Sequence, residues 1–292
     1  MKQKTSACCA SCGIAEIDDI KLVPCDGCDL VKYCSDECQN NHKLQHKKDC
    51  KKRATELRDE LLFKQPEGSH MGDCPICSLP MRLDPRRYVT YQCCSKIVCK
   101  GCVIANDMRE AEAPLCPFCR SDVRKFKSMK HLHKLRMKRV KANDPVAMCE
   151  EGAEKYREGD YRSAFEYWTK AVELGNVEAH YNLSILYDEG HGVEKDEKKK
   201  IHHLEEASIG GHPHARVCLG EHENSHYNEE RAVKHWIIAA THGYDVAIKM
   251  LMDGFKEGFV EKEVLAAALR AHKAAVDETK SPQRQLEEKL IL

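Results

Sequence analysis

The stretch CPICSLPMRLDPRRYVTYQCCSKIVCKGCVIANDMREAEAPLCPFCR, residues 74–120, decides the fold of the segment around it. Its eight thiols belong to Cys74, Cys77, Cys93, Cys94, Cys99, Cys102, Cys116 and Cys119. Structural zinc takes four tetrahedral ligands and favours thiolates. Two cysteines separated by two residues can bind one ion from a single tight turn. The stretch therefore predicts two zinc ions in a closed, structural role.

Composition limits what the rest of the chain can be. Its 292 residues are enough for two or three domains, and the zero formal net charge gives no global attraction to nucleic acid or membrane. Sixteen of the 18 cysteines precede residue 120, which favours local metal modules over a disulfide framework. The start, MKQKTSACC, lacks the apolar run of a signal peptide, and no later run reaches membrane-spanning length. We expect reduced thiols and a cytoplasmic or nuclear protein.

A second set of metal ligands lies upstream, within residues 1–53. It comprises Cys9, Cys12, Cys25, Cys28, Cys34, Cys38, His46 and Cys50. Eight ligands again predict two zincs, which gives about four structural zinc ions per chain. The spacing from Cys38 through His46 to Cys50 is near-helical, so His46 and Cys50 can share one helix face.

This upstream segment resembles a MYND zinc finger, through the motifs CCASC, CDGC, YC, CQ and HKKDC. The resemblance implies interleaved ligands, with one ion held by Cys9, Cys12, Cys34 and Cys38 and the other by Cys25, Cys28, His46 and Cys50. It favours His46 over the competing His42. Lys43 stands where proline-peptide-binding members carry Trp, so a folded module without a peptide ligand remains open. No SET-domain motif accompanies it, and methyltransferase activity is not carried over.

Residues 73–121 resemble a RING finger with cysteine ligands throughout. Such modules are cross-braced, which implies one ion on Cys74, Cys77, Cys99 and Cys102 and a second on Cys93, Cys94, Cys116 and Cys119. Lys96 occupies the place of the histidine of common RINGs, and Cys94 supplies the fourth ligand instead.

Three further residues match the RING pattern for binding a ubiquitin-conjugating enzyme, namely Ile76, Pro117 and Arg120. The resemblance implies a ligase without a catalytic residue of its own, which holds the charged conjugating enzyme in a reactive pose. Taken singly, Ile76 and Pro117 are better explained as zinc-knuckle residues and Arg120 as a solvated charge, and only together do the three favour ligase activity.

Two segments separate or flank the modules. KKRATELRDELLFK (51–64) predicts a short amphipathic helix within a linker, broken at Pro66. Residues 120–141 carry ten Lys or Arg and one acidic residue, and they predict a basic helical linker. A nuclear signal or nucleic-acid contact is possible there. We favour a solvated helix leading into the next domain, because no aromatic stacking residues interleave.

The C-terminal half is repetitive. YWTKAVELGNVEA, HLEEASIGGHPHA and HWIIAATHGYDVA align, with equivalent residues 36 and then 32 positions apart. Each unit predicts two helices, and one unit cannot bury its apolar face without stacking on the next. The units resemble Sel1-like repeats, cousins of the tetratricopeptide repeat. We predict three repeats from 147, a degenerate fourth from Ala247, and a capping helix at 264–276 before Pro282 and a loose tail.

The side chains of the repeats favour packing over chemistry. Cys149, Cys218, Trp168 and Trp236 are predicted to be core residues. The many histidines lack paired spacing with cysteines or carboxylates, so we expect surface or packing roles for most of them.

The predicted fold class is two small zinc-stabilised modules, MYND-like and cross-braced RING-like, followed by an all-α repeat solenoid. The predicted domains are 1–53, a 54–72 linker, 73–121, a 122–143 basic linker, 144–280 and a 281–292 tail. The main functional hypothesis is a RING-type ubiquitin ligase or ligase subunit whose repeats recruit protein partners. The alternative is a non-catalytic zinc-binding scaffold, and nucleic acid and membrane are not expected partners.

Overall fold

The computed structural model describes residues 8–17, 19–109, 115–122 and 128–291. The chain forms two compact units, Met1–Lys64 and Gln65–Leu292. Among the described residues, no helix combines the length and apolar character needed to cross a membrane.

The first unit consists of a short hairpin and one long helix. Strands β1 (Val23–Pro24) and β2 (Lys32–Tyr33) pair antiparallel, and helix α1 spans Asp36–Leu62. The Ser35 hydroxyl caps α1 by accepting from the Cys38 amide at 3.3 Å. The buried core is small and is mostly cysteine, together with Leu22 and Tyr33. So small a core cannot stabilise the module without metal ions.

Helix α1 corrects one expectation from the sequence. A separate linker helix over 51–64 is wrong, because α1 runs without interruption from the zinc-ligand region to Leu62. The physical reason is the absence of a helix breaker in the sequence between Cys50 and Pro66.

The second unit begins with a compact zinc module. A 3-10 turn at Pro85–Arg87 leads into β3 (Tyr88–Tyr91), which pairs antiparallel with β4 (Lys96–Cys99). Helix α2 (Lys100–Arg109) follows directly. The hairpin turn places Cys93 and Cys94 at its tip, and Ser95 adopts a left-handed φ of 55° there. Met81, Tyr91 and Val98 form the apolar part of its core.

The rest of the second unit contains a series of helices whose bounds follow the predicted repeat units. The helices are α3 (Met129–Lys141), α4 (Pro145–Arg157), α5 (Tyr161–Glu173), α6 (Val177–Glu189), α7 (Glu197–Ile209), α8 (Pro213–Ser225), α9 (Glu229–Ala240), α10 (Asp245–Glu257) and α11 (Lys262–Glu278). Gly175, Gly211 and Gly243 follow α5, α7 and α9 with φ of 81°, 83° and 75°. Each of these left-handed turns ends a helix at the equivalent position of its repeat, where glycine adopts the conformation without strain.

Each tryptophan packs on a glycine of the preceding helix. A Cβ added to Gly152 would lie 2.5 Å from Trp168 Nε1, and one added to Gly220 would lie 2.2 Å from Trp236 Nε1. The indole of Trp168 also donates to the carbonyl oxygen of Cys149 at 3.0 Å. Both tryptophans are buried, which confirms their prediction as packing residues.

Residues 123–127 of the basic segment lie outside the described residues, and Met129–Lys141 form helix α3, two of whose arginines pair with carboxylates. Arg136 of α3 donates to the buried Glu151 carboxylate at 2.6 Å. Arg139 pairs with Asp144, the residue that caps α4. These contacts join α3 to the first repeat, as the interpretation of a helix leading into the next domain requires. Both arginines are paired, and Arg136 is largely withdrawn from solvent.

The C-terminal residues correct a second expectation. The predicted loose tail is wrong for Pro282–Ile291, which form helix α12 against α2 of the zinc module. Arg284 and Glu287 of α12 are fully buried. The partners of Arg284 and Glu287 lie about 200 positions earlier in the chain, so the local sequence did not indicate that this segment packs as a helix.

Candidate metal centres and the repeat groove

The first unit brings its eight predicted ligands together in two groups. Cys9, Cys12, Cys34 and Cys38 form one, and Cys25, Cys28, His46 and Cys50 form the other, each with ligand atoms within 4.8 Å of one another. The grouping matches the interleaved arrangement that the MYND resemblance implies. Sγ–Sγ distances of 3.5 Å between Cys12 and Cys34 and 3.8 Å between Cys25 and Cys50 far exceed a disulfide bond. They are close to the edge of about 3.8 Å expected for a tetrahedral zinc–thiolate site.

Helix α1 separates the roles of its two histidines. His46 Nε2 lies 3.1 Å from Cys28 Sγ, inside the second group. His42 Nδ1 instead contacts the Tyr33 hydroxyl at 3.1 Å, and its ring stacks on that of His46. His42 therefore supports the ligand ring of His46 and stands outside the cluster.

The second unit groups its thiols in the cross-braced pattern. One cluster is Cys74, Cys77, Cys99 and Cys102, and the other is Cys93, Cys94, Cys116 and Cys119. Sγ atoms of Cys77 and Cys99 are 3.9 Å apart, and those of Cys94 and Cys116 are 3.7 Å apart. The adjacent Cys93 and Cys94 thiols reach one cluster, with their sulfurs 4.0 Å apart, because the hairpin turns at this point.

Every cluster contains one thiol whose pKa is lowered. Backbone amides, that of Cys12 foremost, hold the pKa of Cys9 at about 6. Burial alone would raise the pKa of Cys74, but the amides of Cys77, Cys99 and Ile76 lower it to about 7. The pKa values of Cys25 and Cys119 are lowered in the same way by local hydrogen bonds that outweigh burial. A lowered pKa favours the thiolate form of these four cysteines, which is the form that binds a metal cation.

Three further thiols of these clusters have raised pKa values. Hydrogen bonds with Cys12 and Cys38 raise the pKa of Cys34 to about 12. Burial is the main cause of the raised pKa values of Cys94, to about 11, and of Cys102. Four thiolates cannot coexist at this spacing unless a divalent cation neutralises them.

The donor sets thus fit zinc at all four clusters. Each cluster already supplies four ligands from the protein, so none leaves a coordination position for water or substrate. The clusters could hold structural zinc ions, and the count agrees with the predicted four per chain. Bound zinc would fix the knuckles and hairpins of both modules, which have little other core.

The predicted docking residues of the second zinc module are accessible. Ile76 is 43% exposed in the turn between Cys74 and Cys77. Pro117 is half-buried and Arg120 is exposed in the turn of the last cysteine pair, where Arg120 has a left-handed φ of 59°. Phe118, which sequence reasoning did not single out, is also exposed and contacts the Tyr91 ring edge-on.

A further histidine–carboxylate cluster lies outside the cysteine sites. His70 Nε2 and His212 Nε2 lie 3.0 and 3.2 Å from the same Glu178 oxygen, and the two imidazoles stack. The ligand atoms are close enough to consider a metal ion. Sequence reasoning missed the cluster because its members come from three distant segments.

The hydrogen bonding of this cluster disfavours a metal. His212 Nδ1 accepts from the Ala215 amide at 3.1 Å, which caps helix α8. A neutral imidazole that accepts at Nδ1 carries its proton on Nε2, where it donates to Glu178. A metal ligand needs the reverse, with Nδ1–H facing an acceptor. The cluster is therefore a hydrogen-bonded bridge from the segment before the second zinc module to the amino-terminal ends of α6 and α8.

Next to this bridge lies a groove of about 670 Å³, which we call the repeat groove. Residues 82–88 of the second zinc module form one wall. The amino-terminal ends of α6, α8 and α10 form the other, with Tyr181, His214, Tyr244 and Lys249 among the lining residues. Centroids of the Tyr181 and His214 rings are 5.0 Å apart, and those of His214 and Tyr244 are 5.9 Å apart, so aromatic rings run along this wall.

Comparison with family models identifies two of the modules. Residues 9–50 match the MYND finger, and residues 147–176, 177–212 and 225–244 match the Sel1 repeat. The chain therefore contains a MYND finger and Sel1 repeats in an all-helical solenoid. The RING resemblance of residues 73–121 stays a prediction.

Curated relatives match parts of the chain. HcpC of Helicobacter pylori (strain J99) is 43% identical over 56 residues, which is 19% of each chain. DAP3-binding cell death enhancer 1 of Mus musculus is 26% identical over 174 residues, covering 46% of this chain and 34% of that protein. The matches thus span about a fifth to a third of the relatives' length.

Solved structures with similarity to the chain include a Sel1 repeat protein from Oxalobacter formigenes. It has a TM-score of 0.45 and 22% identity, and the match covers 51% of this chain and 66% of that one. The protective antigen c5321 of uropathogenic Escherichia coli has a TM-score of 0.40 and 23% identity, over 56% and 36% of the two chains.

Proposed function

We propose that this protein is a zinc-stabilised scaffold for protein–protein interaction, in which the repeats recruit a polypeptide partner through the repeat groove. The observation that carries the proposal is the groove itself, a concave site of about 670 Å³ between the second zinc module and three repeat helices. Solenoids of stacked helix pairs use such concave surfaces for binding. One relative that matches part of the chain carries a binding partner in its name, DAP3-binding cell death enhancer 1.

The chemistry of the groove favours a polypeptide. The aromatic wall of Tyr181, His214 and Tyr244 offers rigid contact area at low entropic cost. Lys249 on α10 places an exposed cation beside that aromatic surface, whereas Arg86 on the opposite wall is paired with Asp84 at 2.9 Å. An extended segment with apolar anchors and an acidic flank fits this combination. The four closed zinc clusters contribute shape and stability, with no reactive metal ion.

The scaffold proposal can be tested with a photo-crosslinking amino acid placed at Lys249 in the full-length protein. The matched control carries the same amino acid at Glu230, an exposed position on α9 that does not line the groove. We expect the Lys249 position to give a discrete protein adduct in cells that the Glu230 position does not give. Equal adducts at both positions, or none at either, would count against a partner in the groove.

A second candidate function is that of a RING-type ubiquitin ligase or ligase subunit. The observation that favours it is the exposure of Ile76 and Arg120, with Pro117 half-buried, on the module whose thiols group in the cross-braced pattern. In this mechanism the module would bind a charged ubiquitin-conjugating enzyme and restrict its conformations, so the rate gain would come from positioning. The groove would then hold the substrate.

The ligase candidate is tested with purified zinc-loaded protein and a broad panel of conjugating enzymes. We expect ubiquitin chains with at least one enzyme, and loss of transfer in Ile76→Ala and Arg120→Ala. Val89→Ala is the matched control, since Val89 is an exposed apolar residue of the same module, 37% exposed on β3. If no enzyme of the panel supports ubiquitin transfer, the ligase function is refuted and the scaffold function remains. If all three variants transfer ubiquitin equally well, Ile76 and Arg120 do not bind the conjugating enzyme.

A further inference from the structure

The C-terminal helix α12 inserts one fully buried arginine into the second zinc module. Arg284 is 0% exposed. Its Nη1 donates to the carbonyl oxygens of Pro80 at 2.8 Å and Thr279 at 3.0 Å. Its Nη2 donates to Leu79 O at 3.2 Å and to Cys77 Sγ at 3.5 Å. The guanidinium thus contacts the turn that carries a predicted zinc ligand.

A buried cation of this kind needs a nearby negative charge. The Cys77 sulfur, 3.5 Å from Nη2, is the ligand atom of this cluster that the guanidinium contacts. Four thiolates around one zinc ion carry a net charge of about −2. The Cys74, Cys77, Cys99 and Cys102 site is therefore the counter-charge that this guanidinium faces.

Close packing at Gly101 and charged contacts fix the position of α12 on the second zinc module. A Cβ at Gly101, in the first turn of α2, would lie 2.8 Å from the Gln283 carbonyl oxygen and the Arg284 nitrogen. Two ion pairs hold the part of the helix that follows Arg284. Glu287 lies 3.1 Å from Arg87, and Glu288 lies 2.8 Å from Arg82. Small size at Gly101 and three charged contacts together determine where α12 packs.

We propose that Arg284 is an outer-sphere positioning residue of this zinc site, and that α12 is a built-in brace for the turn that presents Ile76. The guanidinium neutralises part of the thiolate charge by donating to Cys77. It also holds the backbone of Leu79 and Pro80, which follow that ligand. Outer-sphere partners that orient ligands and stabilise their charge commonly change metal affinity by about 10- to 100-fold.

One consequence rests on the proposed ligase function. Ile76 lies one residue before Cys77, so the grip of Arg284 on residues 77–80 fixes the exposed side of the same turn. Release of α12 would leave the four thiols in place and loosen the surface that binds the conjugating enzyme. The positioning role itself concerns the zinc site and does not require that enzyme.

The test uses the full-length protein with Arg284→Gln, which keeps hydrogen-bonding capacity and removes the charge. Arg86→Gln is the matched control, since Arg86 belongs to the same module and its side chain is 87% exposed. The rate of zinc release is measured from the absorbance of a chelator that binds the released ion. After exchange of zinc for cadmium, cadmium-113 NMR resonances distinguish the four sites. We expect about tenfold faster release from one site. Only the cadmium resonance correlated with Cys77 should shift.

Unchanged release and an unchanged cadmium spectrum in Arg284→Gln would overturn the proposal. Equal acceleration at all four sites would overturn it too, because that result indicates general destabilisation. If Arg284→Gln does not fold, Gly101→Ala provides the second variant, since its methyl group displaces α12 and leaves every thiol and Arg284 present. It should accelerate release from the same single site, and wild-type release would contradict the brace. None of these readouts depends on ubiquitin transfer, so ligase failure and brace failure are distinguishable.

Discussion

Nε2 of His70 lies 3.0 Å from Oε2 of Glu178, although the two residues are 108 positions apart in the chain. His212 donates to the same oxygen from a third segment. The backbone amide of His70 adds a bond to the Gly211 carbonyl oxygen at 3.1 Å. One carboxylate therefore ties the segment before the second zinc module to the amino-terminal ends of α6 and α8, and this contact helps to form the repeat groove.

Loss of that carboxylate should weaken the second unit. Glu178→Ala leaves two imidazole N–H donors without their acceptor, and we expect a loss of about 1–3 kcal/mol in unfolding free energy. Urea unfolding monitored by circular dichroism gives the value. Glu173→Ala, an exposed glutamate on α5, is the control and should change stability by less than about 0.5 kcal/mol. A Glu178→Ala protein as stable as the control would show that the bridge contributes nothing.

The glycine–tryptophan contact predicts an unusual response to alanine. In an exposed helix, Gly→Ala gains roughly 1 kcal/mol from helix propensity. At Gly152 the new methyl would collide with the Trp168 indole, so we expect Gly152→Ala to lose about 1–3 kcal/mol instead. Thermal unfolding distinguishes the two signs. Gly220→Ala should behave alike against Trp236, and a gain in stability at either position would refute this packing account.

His235 predicts an acid-sensitive component of stability. Burial, and then the nearby Arg216 and Arg231, lower its pKa to about 3. Because the folded pKa lies below the unfolded value of about 6.5, the contribution is complete above that pH and is lost as the pH falls toward 3. The expected slope is about 1.4 kcal/mol per pH unit for this one group.

The check on His235 is the difference between wild type and His235→Leu in unfolding free energy, measured across this range. Zinc-dependent terms are common to both proteins and cancel in the difference. Leucine cannot bind a proton, so the wild-type protein should lose stability faster on acidification. If the unfolding free energies of the two proteins fall in parallel with pH, His235 binds its proton equally well in the folded and unfolded states, and the prediction fails.

The basic helix α3 should respond as a structural element. Arg136→Gln leaves the carboxylate of Glu151, 1% exposed, without its closest cation, and about 3 kcal/mol of stability should be lost. Lys138→Gln, an exposed neighbour on the same helix, should be nearly neutral. Chemical denaturation of both variants is sufficient. Equal unfolding free energies of the two variants would show that the Arg136–Glu151 pair does not stabilise the fold and that α3 acts as the solvated linker predicted from the sequence.

Local spacing was enough to predict much of this molecule. Cysteine pairs two residues apart specify the zinc clusters because neighbouring ligands must reach one ion, and the repeated Ala and Gly positions specify the helix pairs of the solenoid. The assignment of His46 over His42 came from the resemblance to the MYND finger, since both histidines lie at helical spacing from Cys50. Interactions between residues within one turn or one repeat therefore leave a spacing pattern in the sequence from which they can be predicted.

The remaining features depend on contacts between distant segments. Nothing near Arg284 predicts that its guanidinium reaches Cys77, since the partners are 207 positions apart. The Glu178 bridge needs three segments to meet, and the unbroken α1 requires knowing that the finger and the linker share one helix. Such tertiary contacts override the local signals that suggested a loose tail and a separate linker helix.

The central claim is that four closed zinc sites build the interaction surfaces of this scaffold. Native mass spectrometry of the full-length protein, purified without added metal, measures it most directly as zinc ions per chain. The account predicts four, and it predicts that Cys94→Ser lowers the count by one while Cys218→Ser leaves it unchanged. A count of two in the wild-type protein, or an unchanged count in Cys94→Ser, would contradict it.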